Sequence, residues 1–233
     1  MMKKLNIKII IRSIIVFVGF FLSSYLQYIP VILFKLDVSK IRNNVGMQVL
    51  LSCFSSFIFM IILLIIYHKD LRRDFKTYTS NFAKNFDTGF KWYLVGLLIM
   101  MVSNLLLYYV LSSGGAINEN MVQTMIKSSP ILMAIDACII GPFNEEIVFR
   151  KTLYDVFKKN KYIFIILSFL LFGGAHVFST AKTLTDYLYI IPYGALGGVF
   201  AISYSKTDTV FTSMIMHILH NSVLLILSCL IYF

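Results

Sequence analysis

The sequence predicts an all-α fold, a polytopic membrane helical bundle of about seven (six to eight) transmembrane helices. Three observations carry this expectation. Of the 233 residues, 58% are hydrophobic, the mean hydropathy is +0.81, and the apolar residues fall into runs long enough to span a bilayer. The runs are Ser13 to Phe34, Gly46 to Tyr67, Trp92 to Ser112, Ser129 to Phe157, Tyr162 to Phe178, Leu184 to Tyr204 and Val210 to Tyr232.

The first run follows a basic start, as a signal peptide would, but it is long and lacks a small-x-small cleavage site, so it reads as a span. Between the second and third runs, Phe75, Tyr78, Phe82, Phe86 and Phe90 recur at three- and four-residue steps among Lys76, Lys84 and Lys91. That period predicts an amphipathic segment near residues 74–91, either in the membrane interface or packed on the bundle. The fourth and fifth runs form a hairpin turning at Lys158-Lys159-Asn160-Lys161, and Gly194, Gly197 and Gly198 in the sixth allow close helix packing. Cys53, Cys138 and Cys229 lie within apolar runs with no metal-type or redox spacing, so they read as core thiols.

The formal net charge of +10 does not mark a nucleic-acid binder, because the basic residues punctuate the spans. Sixteen of the 21, including Lys3, Lys4, Arg12, Arg73, Lys151 and Lys161, fall on one side of a seven-span topology. The positive-inside rule then puts the N-terminus in the cytoplasm of a multi-pass cell-membrane protein. Composition rich in Ile, Lys, Asn and Phe suits a bacterial source. Residues 1–127 read as N-terminal spans and residues 128–230 as a core that carries the chemistry.

Three polar clusters interrupt that core: Glu145 and Glu146 with Arg150, His176 after Phe172-Gly173-Gly174-Ala175, and His217 with Asn221. A carboxylate at membrane depth costs several kcal/mol unless it is paired or hydrated, which makes each cluster a functional candidate. Glu145 precedes Asn160 by fifteen residues and His176 follows Lys161 by fifteen, so across an antiparallel hairpin they reach one depth, roughly 22 Å from the turn. Glu146 and Arg150 share a helix face as an ion pair, leaving Glu145, about 100° away, free to act as general base. Pro142 is expected to kink this helix, and Gly173 and Gly174 to permit close backbone approach beside His176. His217 and Asn221 share a face and suit an oxyanion hole; His220 is a supporting or packing residue, and Asp136 and Asn104 are weaker candidates. The structural alternative is that each cluster is a satisfied helix-packing group.

Taken together, Glu145-Glu146-x-x-x-Arg150, Phe172-x-x-x-His176 and His217-x-x-x-Asn221 resemble the motifs of the CAAX-protease and bacteriocin-processing (CPBP, or Abi) family of intramembrane proteases. The resemblance covers roughly residues 128–230. It implies a peptidase in which Glu145 activates water with His176 assisting, while His217 and Asn221 stabilise the oxyanion. Where many members carry Gly after the motif arginine, this chain has Lys151. No cofactor is expected; the competing version is a catalytic zinc on His176, His217 and Glu145. The expected partners are a peptide or membrane-protein substrate and the lipid bilayer, with no nucleic acid. The role expected is peptide maturation or bacteriocin self-immunity, and the alternatives are a non-catalytic immunity or scaffold protein and a transporter.

Overall fold

The computed structural model describes residues 7–111 and 117–232. Lys3, Lys4 and Ser112, named above, lie outside them. The described residues form helices and no strand. Five helices are long and apolar enough to cross a bilayer: Ile7–Leu33, Val45–Ser80, Phe82–Val110, Leu184–Thr207 and Val210–Leu230. The other two expected spans take different forms. Residues 161–177 make a shorter apolar helix, and residues 130–157 make a rod assembled from short helical pieces.

The first span is α1 (Ile7–Ser23), a 3-10 turn, and α2 (Tyr28–Leu33), which contains Pro30. Proline at that position removes a helical hydrogen bond and crowds the preceding turn, which accounts for the tightened junction. After the short α3 (Val38–Arg42), Asn44 caps α4 (Val45–Ser80) by accepting from the Met47 amide at 3.0 Å. α5 (Phe82–Leu111) follows. The amphipathic segment near 74–91 is therefore no helix of its own; it is the end of α4 and the start of α5, meeting at Asn81. The cause is local. The buried Asn85 carboxamide donates to the Thr77 and Tyr78 carbonyls at 3.2 Å each, which closes α4. Phe75, Phe82, Phe86 and Phe90 stay exposed, while Tyr78 is buried.

α6 (Ile117–Ser128) leads into the rod, where α7 (Pro130–Ile135), α8 (Gly141–Glu146) and α9 (Thr152–Phe157) are joined by two π-turns, Asp136–Ile140 and Ile147–Lys151. Asn160 caps α10 (Lys161–Val177), a 3-10 turn precedes α11 (Ile190–Thr207), and Asp208 at φ 52° ends α11 before α12 (Val210–Tyr232). The rod is central. Its Ile147, Val148, Phe149 and Leu153 are buried with Val16 of α1, Phe59 and Leu63 of α4, Phe164 and Phe172 of α10, Tyr204 of α11 and Met214 of α12. α1 and α5 bury the smallest share of their spans and α11 the largest, so α11 is an inner helix.

Glycines set the spacing around α11. A methyl on Gly173 would lie 2.6 Å from the Ile190 carbonyl oxygen, and one on Gly197 would lie 2.8 Å from that of Ser168, so α10 and α11 touch backbone to backbone. Gly194 is similarly tight against Phe169, whereas Gly198 has ordinary contact distances. Gly96 admits Val199 of α11 against α5.

Charged residues collect at one end of the bundle. Arg12 of α1 bonds Asp70 of α4 at 2.9 Å and Asp155 of α9 at 2.7 Å; Lys151, almost fully buried, bonds Asp155 at 2.5 Å. The buried Asp74 pairs with Arg73 and receives Thr209 Oγ1 on its carbonyl, tying α4 to the start of α12. Lys151 thus occupies its position by belonging to this charged end.

Two outcomes follow. Gly96→Val is expected to destabilise the fold by about 1–3 kcal/mol through overpacking, while Gly198→Ala leaves the thermal midpoint in detergent near that of the native chain. Asp155→Asn strips a buried lysine of its counter-charge and is expected to cost about 3 kcal/mol. Asp87→Asn, which loses only the exposed pair with Lys91, leaves thermal unfolding unchanged.

Candidate active site

The two π-turns flank Glu145 and Glu146. In the first, the Gly141 amide reaches back to the Asp136 carbonyl, five residues away. A methyl on Gly141 would stand 3.1 Å from that same oxygen. In the second, the Thr152 amide reaches the Ile147 carbonyl. Such insertions are frequent at functional positions, and they leave carbonyls that side chains must satisfy and redirect the residues that follow. Ser168 Oγ donates to the Phe149 carbonyl at 2.9 Å, and Thr152 Oγ1 donates to that of Val148. The expected effect of Pro142 is realised as the first π-turn.

The glutamates are unequal. Glu146 is fully buried; the Glu145 side chain keeps 22% of its surface exposed. His217 stands between them, its Nδ1 2.9 Å from Glu146 Oε1 and its Nε2 3.7 Å from Glu145 Oε2. Adjacent residues on a helix diverge by about 100°, which lets the two carboxylates address opposite nitrogens of one ring. Arg150 Nη1 lies 3.2 Å from Glu146 Oε1. With Glu146 ionised beside Arg150, Nδ1 of His217 is the donor, and Nε2 is the nitrogen turned toward Glu145.

Arg150 is itself completely buried, with its guanidinium 4.2 Å from the Phe172 ring centroid and 5.4 Å from that of Phe200. These two faces, together with Glu146, offset the loss of hydration. Phe172 also lies edge-on to His217 at 5.6 Å and next to His176 at 4.5 Å. It forms the wall between the two histidines. Sequence reasoning gave Phe172 no role, although its place four residues before His176 was a signal. Phe200, which covers the other side of Arg150, carried none.

His176, expected opposite Glu145, makes its contacts on its own helix and on α11. Its Nδ1 donates to the Phe172 carbonyl at 2.9 Å and its ring stacks on Tyr193 at 4.7 Å. Among the described residues no hydrogen bond or ion pair joins it to either glutamate. Asn221 also differs, because its Nδ2 donates at 2.7 Å to the Ala137 carbonyl in the first π-turn. His220 faces α5, 3.4 Å from the Tyr93 hydroxyl. Asn104 is exposed on α5, outside the site. Asp136 takes a hydrogen bond from Ser56, whose carbonyl accepts from Asn144 Nδ2 at 3.0 Å.

A catalytic zinc would need three donors converging on one point. Among the described residues no group of three His, Cys, Asp or Glu side chains meets that need. His217 has its Nδ1 on Glu146 and His176 turns its Nδ1 to its own helix, which leaves Nε2 as the second ring nitrogen of each. What converges is a carboxylate at a partly open surface, an imidazole oriented from behind by a buried carboxylate, and a second imidazole one ring away.

Comparison with known proteins points to the same stretch of chain. Residues 127–223 match the family described as type II CAAX prenyl endopeptidase Rce1-like. A protein named putative membrane peptidase YdiL, of Bacillus subtilis (strain 168), is 27% identical over 143 residues, covering 58% of this chain and 55% of the relative. One named membrane-embedded CAAX protease MroQ, of Staphylococcus aureus (strain USA300), is 28% identical over 151 residues, covering 60% of this chain and 58% of the relative. The chain thus spans little more than half the length of these curated relatives. No solved structure matches it. Through residues 127–223, which hold all three polar clusters, the chain is similar to the CAAX-protease family that its motifs resemble.

Proposed function

We propose that this protein is an intramembrane endopeptidase that hydrolyses a peptide bond in a membrane-associated peptide or protein with water activated by glutamate and histidine. The observation that carries the reading is His217 held between a buried and a partly exposed glutamate within an apolar bundle. The family match and the names of the two relatives support a peptidase.

Glu145 takes a proton from the attacking water and delivers it to the leaving amine. His217 Nε2 faces the same space and, as imidazolium, donates to the oxyanion, with Glu146 fixing the ring from behind. His176, whose Nδ1–H is spent on Phe172, keeps Nε2 as an acceptor for water. The unpartnered buried oxygens Asp136 Oδ1, Asn144 Oδ1 and Glu146 Oε2 are groups that internal water satisfies, which suits hydrolysis without an acyl-enzyme. The mechanism uses no metal. The charged end faces the cytoplasm, and the physiological role is peptide maturation or bacteriocin self-immunity.

Glu145→Gln and His217→Ala are each expected to abolish cleavage while the protein still inserts and unfolds at a native-like temperature. Comparing membrane peptidomes of cells expressing the native chain or Glu145→Gln checks this, since the product absent from the variant names the substrate and the bond. Full biological function in both variants would establish a non-catalytic scaffold or immunity protein instead.

Activity is expected to survive prolonged treatment with a strong chelator, and purified protein to hold no stoichiometric zinc. Zinc and activity lost in parallel would overturn the metal-free mechanism.

A further inference from the structure

Backbone accounting in the first π-turn leaves one carbonyl without its helical donor. With Gly141 bonded to the Asp136 carbonyl, five residues back, the next amide in that register, residue 142, would bond the carbonyl of Ala137. Residue 142 is proline and has no N–H to give. An orphaned carbonyl inside a bundle costs as much as a lost hydrogen bond, so its partner must come from elsewhere. Asn221 supplies it from α12, donating from Nδ2 at 2.7 Å.

We infer that Asn221 is a positioning residue that replaces the hydrogen bond Pro142 cannot make, holding the Ala137 carbonyl and so fixing the π-turn that aims Glu145 and Glu146 at His217. The placement explains why one helix carries both groups. Asn221 lies one turn beyond His217 on α12, so the helix that presents the imidazole also clamps the backbone leading to the glutamates. The clamp sets the relative position of base and imidazole. A carboxamide acting only as an oxyanion donor has no need of Pro142.

The dependence on Pro142 makes this testable. In full-length protein in detergent micelles, Asn221→Ala is expected to speed amide hydrogen exchange across residues 136–146. Pro142→Ala restores an amide at position 142, so the same Asn221→Ala change in that background should leave exchange there slow. This arm is independent of the proposed function. The activity arm rests on that reading and follows the peptide product that the membrane-peptidome comparison of native chain and Glu145→Gln reveals. Asn221→Ala should lower cleavage about tenfold or more in the native background and no more than about threefold in the Pro142→Ala background, the coupling expected of groups acting on one hydrogen bond. Unchanged exchange across 136–146 in Asn221→Ala overturns the inference, whatever activity does. Exchange that rises in Asn221→Ala and rises equally in the double variant also overturns it. If cleavage is absent from native protein, the peptidase reading fails, and the exchange result still decides the role of Asn221.

Discussion

A carboxylate removed from water must find its counter-charges within the protein, and Glu146 finds them in Arg150 at 3.2 Å and His217 at 2.9 Å. Each partner brings an element with it. Arg150 needs the Phe172 and Phe200 rings, which come from α10 and α11; His217 comes from α12. Four helical elements are therefore tied to one buried charge, and removing any partner would strand another ion in an apolar interior. Close approach is a condition of that arrangement. It is met by Gly173 and Gly197, where the backbones of α10 and α11 leave no room for a Cβ. Glu145 lies outside the ionic knot, 3.7 Å from His217 and with part of its surface open.

The backbone around this pair follows the same logic of compensation. The central rod departs from α-helical hydrogen bonding twice, and at each departure a hydroxyl or carboxamide serves a carbonyl. Thr152 reaches Val148, Ser168 reaches Phe149 and Asn221 reaches Ala137. Two of these three donors come from neighbouring helices. The irregular backbone is thus tolerated at membrane depth because it is buried in protein that satisfies it, which is the condition for non-helical structure in a bilayer.

Much of the fold was legible because apolar run length and charge placement are properties of local sequence. Five runs became long apolar helices, and Arg12, Asp70, Lys151 and Asp155 met in one ionic cluster. The aromatic period near 74–91 was visible, but it could not distinguish a separate helix from two helix ends. Asn81 and the buried Asn85 decide that by contacts across the break. The site residues were legible as polar intrusions, whereas their pairing was less so. Arithmetic with 3.6 residues per turn placed Glu145 opposite His176. The rod gains a residue in each π-turn, and each rotates the succeeding faces by about 100°. Pro142 was the visible cause of the first turn. No comparable residue announces the second. The burial of Lys151 did have a signal, Asp155 four residues on, which pairs with it at 2.5 Å.

Under the proposed mechanism, the inequality of the two glutamates is what lets an apolar bundle hold a water-using site. Had both carboxylates been enclosed like Glu146, each would have needed its own cation, and neither could accept a proton from water. Had both been open like Glu145, nothing would orient His217. Three buried oxygens without a hydrogen-bond donor lie on the same rod: Asp136 Oδ1 and Asn144 Oδ1, whose side chains both reach Ser56 of α4, and Glu146 Oε2. In that mechanism these oxygens are a polar seam beside the glutamates on which water finds acceptors. Under the proposed mechanism the seam and the open edge of Glu145 meet at the one carboxylate that is not committed to holding the fold, so the proton can move without loosening the ionic knot around Glu146.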